Sequence, residues 1–346
     1  MLKSAITTLG IAAVALGSAG VAEARTQIRI VGSSTVYPFT TAVAESFKRS
    51  YPQFPAPIVE STGTGAGIKL FCAGVGQQYP DFANASRRIK ASEAKTCADN
   101  GVTGILELQI GLDGLVFAQA RGGSFPGLTE VDVYKALAAN PYGKGPNKAK
   151  TWKDVNPKLP AVKIAVIGPP PTSGTRDSFN DLYMVVGCEA NPGMVALKKS
   201  DEAKYNVICK KVREDGAFIE GGENDNLIVQ KIAANPNTLG VFGYSFLEEN
   251  TDKIKDVPIN GISPTYESIS SFKFPASRPL FIYGKLQHMR AVKGMKEFLA
   301  EYTKESVWGP GGMLSKRGLV AEPTAVRAKY AAVAKNLTPL DIKTLK

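Results

Sequence analysis

Apolar positions along the chain recur in two rhythms. Short apolar runs end in small-residue turns, and each turn opens into a stretch whose apolar residues stand three or four apart. Thr26 to Gly32 alternates at Ile28 and Ile30 and reads as a strand; Ser33 to Tyr37 is the turn, and Pro38 starts a helix with Phe39, Val43 and Phe47 on one stripe. The same grammar returns at Ile58-Val59-Glu60, followed by the turn Ser61 to Gly67 and a helical stretch from Ile68 to Val75. Phe82 to Ala85 is a short buried strand that delivers Ser86, Arg87 and Arg88 at its end. Ile105 to Ile110 and Gly114 to Ala118 are strand-like, and Thr129 opens a helix over Val131 to Ala139. Asn140 to Trp152, rich in Pro, Gly and Lys, reads as a surface loop. Val162 to Gly168 leads through PPPTSGTRDSF into a helix marked by Phe179, Leu182, Tyr183 and Val186. Glu220 to Lys231 is another turn into a helix, Leu239 to Tyr244 and Ser277 to Lys285 are strands, and helices around Met295 to Trp308 and Thr324 to Ala334 finish the chain. Strands alternating with helices predict α/β lobes with largely parallel sheets.

The N-terminus changes this picture only in compartment. Lys3, the apolar core Ile6 to Leu16 and the A-x-A site Ala22-Glu23-Ala24 make residues 1–24 a cleaved export signal, with the mature chain starting at Arg25. The chain is 346 residues long, more than one hydrophobic core organises, so two domains are expected. A formal charge of +11 attracts anions. Nucleic acid is not the expected partner, because the lysines are spread along the chain and no basic run is interleaved with aromatics. The 4 cysteines suggest disulfides in an exported chain. Cys72 with Cys97 and Cys188 with Cys209 are the economical pairings, each closing a loop of roughly 20 to 25 residues and stabilising by roughly 3 kcal/mol. Their spacing and the single histidine, His288, argue against a metal site, and His288 is assigned a surface or structural role.

The candidate chemistry lies in the turns. In PPPTSGTRDSF the first-turn amides of the coming helix point outward, Ser173, Thr175 and Ser178 add hydroxyls, and Arg176 adds a cationic fork, a set suited to a small oxyanion. In STGTGAG the glycines let the backbone approach a ligand, and Ser61, Thr62 and Thr64 supply hydroxyls; the Lys-Ser/Thr pair of a P-loop is absent. Of Arg87 and Arg88, adjacent at a strand end, one faces the cleft; Arg87 is the choice, with Arg88 on the surface.

GSSTVYP at 32–38, STGTGAG at 61–67, DFANASRRI at 81–89, TSGTRDSF at 172–179 and SRPLFIY at 277–283 occur in the order and at about the separations seen in phosphate-binding proteins that feed phosphate ABC importers, and the chain resembles that family over nearly its whole mature length. The resemblance implies a bilobal periplasmic binding protein fold of type II, in which two crossover strands join lobe 1 (25–117 plus 264–346) to lobe 2 (118–263). Each disulfide would then stay within one lobe. It implies phosphate contacts at Ser34, Thr35, Val36, Thr64, Ser86, Arg87, Ser173, Gly174 and Thr175, and no cofactor. The implied partners are inorganic phosphate and the membrane permease of an ABC importer, with the protein a monomer in the periplasm.

Two positions depart from the family pattern. Its best-known members carry an aspartate after the strand-end serine, where this chain has Arg87, and an arginine four residues before the serine of the SGT turn, where it has Pro169. Arg87 and Arg176 are therefore the expected cations, and Asp177 is the candidate acceptor for a ligand proton or the partner that orients an arginine; Glu60 and Asp113 are weaker candidates. The rivals are an exported phosphatase using a serine such as Ser173, opposed by the lack of a His-Asp constellation or a metal-ligand cluster, and a binder of sulfate or arsenate.

Overall fold

A computed structural model describes residues 27–345; the export signal expected over residues 1–24 lies outside the described residues. Nine strands form the framework: β1 (Arg29–Gly32), β2 (Ile58–Ser61), β3 (Phe82–Ala85), β4 (Ile105–Ala120), β5 (Val166–Gly168), β6 (Phe218–Glu220), β7 (Leu239–Gly243), β8 (Ile254–Val257) and β9 (Ser277–Lys285). They follow the order β2-β1-β3-β9-β4-β7-β5-β6, with β8 on β4.

This path is two sheets sharing one strand. Residues 105–114 of β4 pair with β9, and from Leu115 onward the same strand pairs with β7 and β8. The two strand segments expected at 105–110 and 114–118 are thus one strand of 16 residues, with a register shift between Gln109 and Gly111. Asp113 looks like an interruption in the sequence, but it stands directly opposite Arg278 on β9, so the charge that would break a buried strand is paired across the ladder.

Among the nine strands, parallel pairing joins β1 to β2 and β3, and β5 to β6 and β7. β4 and β9 run antiparallel to their neighbours because they carry the chain from one sheet toward the other, which makes both sheets mixed. The result is two α/β lobes. One is cored by Phe39, Phe47, Phe82 and Phe298, with a second cluster on the opposite sheet face around Phe71 and Tyr283; the other is cored by Phe117, Trp152, Phe179 and Tyr183.

Helix α1 (Tyr37–Ser50) buries the expected stripe of Phe39, Val43 and Phe47, with a proline in its first turn. Helix α2 (Thr64–Phe71) begins inside the glycine-rich turn. The loop after residue 140 is less superficial than its composition suggests: Trp152 at its end is fully buried and packs edge-on against Phe125. Both disulfides form as the spacing suggested, Cys72–Cys97 in the first lobe and Cys188–Cys209 in the second. His288 is structural: it is buried, its Nδ1 lies 2.7 Å from Asp81 Oδ1, and its Nε2 accepts from the Gly76 amide.

Candidate anion-binding site

Helix beginnings converge between the lobes. α1 is entered from Val36 and α2 from Gly63, residues whose side chains cannot accept a hydrogen bond, and neither helix has a side-chain cap. Four other helices carry conventional caps, with Thr129, Asn191, Asp201 and Asn224 each accepting from a first-turn amide. Met295–Tyr302 and Thr324–Asn336 are uncapped as well, so it is the convergence of α1 and α2 between the lobes, not the missing cap alone, that marks them. An uncapped first turn leaves amides and the positive end of the helix dipole for an external anion. Helix α2 does so more fully than α1, where the Val36 amide donates to Ser33 Oγ at 3.4 Å, the Tyr37 amide to the Ser33 carbonyl at 3.0 Å, and Pro38 has none. From the other lobe the helix Gly174–Phe179 arrives with Ser173 as its cap, accepting from the Thr175 amide at 3.2 Å.

Hydroxyls meet at these helix starts. Thr35 Oγ1 and Thr175 Oγ1 are 2.8 Å apart across the interlobe contact, and Thr64 Oγ1 lies 3.2 Å from Ser86 Oγ while accepting from the Ser86 amide. Ser34, Thr35, Val36, Thr64, Ser86, Ser173 and Thr175 are all buried. Gly174 is required where it stands: a Cβ there would come 2.0 Å from Thr64 Oγ1 and 2.6 Å from Ser86 Oγ, so any larger residue would hold the lobes apart. Gly63, at φ +82°, makes the reciprocal approach, its backbone packing against Thr172 O and Glu223.

The cation at the centre is Arg278. Its Nε and Nη2 donate to Asp113 Oδ2 at 3.0 and 2.8 Å, and Nη2 also reaches Thr35 Oγ1 at 3.2 Å and Thr175 Oγ1 at 3.4 Å. Nη1 is buried and has no hydrogen-bond partner among the described residues. Burial pushes the Asp113 carboxyl up, against the pull of Arg278 and of the Tyr244 amide, which donates to Oδ1 at 2.8 Å. Arg278 was not singled out in the sequence, although it lies in the SRPLFIY stretch; its signal was an arginine in an otherwise buried strand, which demands a partner.

The three charged residues expected at the site, Arg87, Arg176 and Asp177, are each engaged by other protein groups. Every nitrogen of the Arg87 guanidinium is occupied: Nε donates to Asp177 Oδ2 at 2.8 Å, both Nη atoms to Glu93, and Nη1 also to the Arg88 carbonyl. Asp177 thus holds Arg87 across the interlobe contact, with Lys90 Nζ 3.5 Å away. Arg176 faces its own lobe, donating to the Pro169 carbonyl and lying 4.4 Å over the Phe218 ring, where burial pushes its pKa down. Arg88 pairs with Glu107 and Glu60 is a surface residue near Arg29.

A cavity of about 340 Å³ opens between the lobes next to Ser34, lined also by Tyr37 and Ser61 from one side and Glu223, Asp225 and Asn226 from the other; Thr35, Thr64, Ser86, Thr175 and Arg278 do not line it. No cluster able to hold a metal ion occurs among the described residues. The arrangement joins amides, hydroxyls and one buried guanidinium, a donor set whose chemistry suits an anion.

Residues 17–306 match the PBP superfamily domain. The chain is 30% identical over 288 residues to the phosphate-binding protein PstS of Staphylococcus saprophyticus, covering 82% of this chain and 77% of that one. It is 32% identical over 292 residues to the protein SphX of Synechococcus elongatus, covering 82% and 76%. An ABC-type phosphate transport receptor from Vibrio cholerae shares the fold, with a TM-score of 0.58 at 22% identity over 86% of this chain and 100% of that one.

Proposed function

The chain belongs to the PBP superfamily and, within it, to the PstS phosphate-binding proteins, and on that premise we propose that it captures inorganic phosphate between its lobes and delivers it to the membrane permease of an ABC importer. It binds without chemistry. The observation that carries this reading is the meeting of Thr35 and Thr175 under the Arg278 guanidinium, because it joins donors from both lobes at one point. An oxyanion bound there exchanges its water for preorganised amides, hydroxyls and a charged fork, and contacts from both sides favour the closed form.

The ligand set is Ser34, Thr35, Val36, Thr64, Ser86, Ser173, Gly174 and Thr175, with Arg278 as the cation. Arg87 and Asp177 act as an interlobe ion pair, and Arg176 supports its own lobe. The lobes take the limits 25–117 plus 264–346 and 118–263, and the protein works as a monomer in the periplasm after export. Calorimetric titration with phosphate tests the reading: saturable binding near one equivalent supports it, and heats no larger than buffer dilution would overturn it.

A further inference from the structure

Lysines occur all along the chain, but one stretch concentrates them. Residues 144–163 hold Lys144, Lys148, Lys150, Lys153, Lys158 and Lys163 against a single acid, Asp154, a net +5 of the chain's +11. All six lysines are exposed, and none forms an ion pair among the described residues. Asp154 faces back to the chain, accepting from the Lys150 and Thr151 amides. Lys148, Lys150 and Lys163 border one cavity of about 620 Å³, and the one carboxylate in its lining, Asp215, is held by the buried Arg213. The backbone beneath is fixed. Asn147 donates to the Lys135 and Ala138 carbonyls at 2.8 Å, and Arg213 donates to the Ala136 and Ala149 carbonyls at 3.1 and 2.8 Å. Unpaired like charges on such a face repel one another, a cost that an anionic partner removes.

The interlobe cleft has no use for this face. Lys163 and Ala217 precede β5 and β6, at the amino ends of two parallel strands, whereas the turn bearing Ser173 leaves the carboxyl end of β5. The lysines and the cleft therefore lie at opposite ends of the second lobe's sheet. No large apolar side chain of residues 144–163 is exposed, so nothing here inserts into hydrocarbon or stacks on bases. The segment has no arginine and Arg213 is turned inward, so no guanidinium fork is offered to a single phosphate or carboxylate. Ammonium point charges spread over a fixed face match a diffuse array of phosphodiester charges. We propose that this pole of the second lobe docks on an anionic phospholipid surface, through charge alone, and leaves the interlobe cleft open to its ligand. The inference holds whichever anion the cleft takes.

The test is co-sedimentation of the expected mature chain, starting at Arg25, so that the apolar segment Ile6 to Leu16 cannot itself bind lipid. The wild type should bind vesicles of phosphatidylglycerol and phosphatidylcholine but not phosphatidylcholine alone, and salt that shrinks the Debye length from ~10 Å to ~3 Å should release it. Lys148→Gln, Lys150→Gln and Lys163→Gln together should weaken binding by roughly a hundredfold, about fivefold for each lysine, with calorimetric phosphate affinity unchanged. The same loss of charge at the exposed Lys231, Lys293 and Lys335, also replaced by Gln, should weaken it by less than about fivefold. Equal losses from the two triple variants would overturn the proposal, because net charge and not this face would then bind. So would binding to phosphatidylcholine alone, binding that salt leaves intact, or no binding to either vesicle. Loss of phosphate affinity in the first triple variant would overturn the separation of this face from the cleft. Tighter binding of the same three lysines to a single-stranded oligonucleotide than to the anionic vesicles would reassign the face to nucleic acid.

Discussion

Two arginines stand at the junction of the lobes, and their surroundings differ in a way that decides their roles. Arg87, at the rim, is enclosed by two carboxylates, Asp177 and Glu93, and has no nitrogen to spare. Arg278, at the centre, is hydrogen-bonded to one carboxylate, Asp113, with buried Asp225 acting on it through space; it touches a hydroxyl from each lobe and keeps one nitrogen without a hydrogen-bond partner among the described residues. A guanidinium whose every nitrogen is already bonded offers an incoming anion no free nitrogen, whereas one with an unbonded, buried nitrogen does. Residue type alone therefore does not identify an anion's cation. The count of acceptors already surrounding it does.

The largest test of this contrast is Arg278→Met. It removes the central donor and leaves Asp113 buried without a cation, so phosphate affinity should fall by more than about a hundredfold and folding stability by about 3–5 kcal/mol; wild-type calorimetric affinity in this variant would end the contrast. Next is a second buried carboxylate, Asp225. Its folded pKa of about 7 lies above the ordinary carboxyl value, so between about pH 4 and pH 7 the unfolded chain has released a proton that the folded protein retains. The contribution of Asp225 to stability is then most favourable in acid and declines as pH rises toward about 7, by up to about 4 kcal/mol. Asp225→Asn should abolish that decline, so its melting temperature relative to wild type rises from pH 4 to pH 8; parallel melting curves would contradict the burial argument.

Thr175→Ala removes one of the two hydroxyls that meet under Arg278 and should cost about tenfold in phosphate affinity. An unchanged titration would remove the crossing point from the site. The smallest effect is expected at the rim. Arg87→Ala breaks a partly exposed interlobe pair, so affinity should fall by about fivefold or less, mainly through faster dissociation that is itself sensitive to salt. A loss as large as that of Arg278→Met, measured by stopped-flow release, would make Arg87 the ligand cation after all.

Much of this architecture could be read along the chain because its signals are local. An apolar run, a small-residue turn and a helical stripe are each written within about ten residues, and so were the positions of Ser34, Thr64, Ser86 and Ser173 at the starts of helices or the end of a strand. The cysteine spacing was informative for the same reason, since each pair closes a short loop. The burial of Trp152 was not legible, because its loop composition is polar while its partner Phe125 lies on a different segment.

The sequence by itself determined which turns place hydroxyls and glycines at helix starts and that the chain alternates between strand and helix. Tertiary structure alone decided which charges the site holds. Arg278 meets Asp113 from 165 residues away and Thr35 from 243, and Arg87 finds Asp177 at a separation of 90. A hydroxyl or amide at a helix start is committed by its own backbone. A long charged side chain is committed only by the acceptors that distant segments bring within reach, so its role appears when the two lobes are assembled.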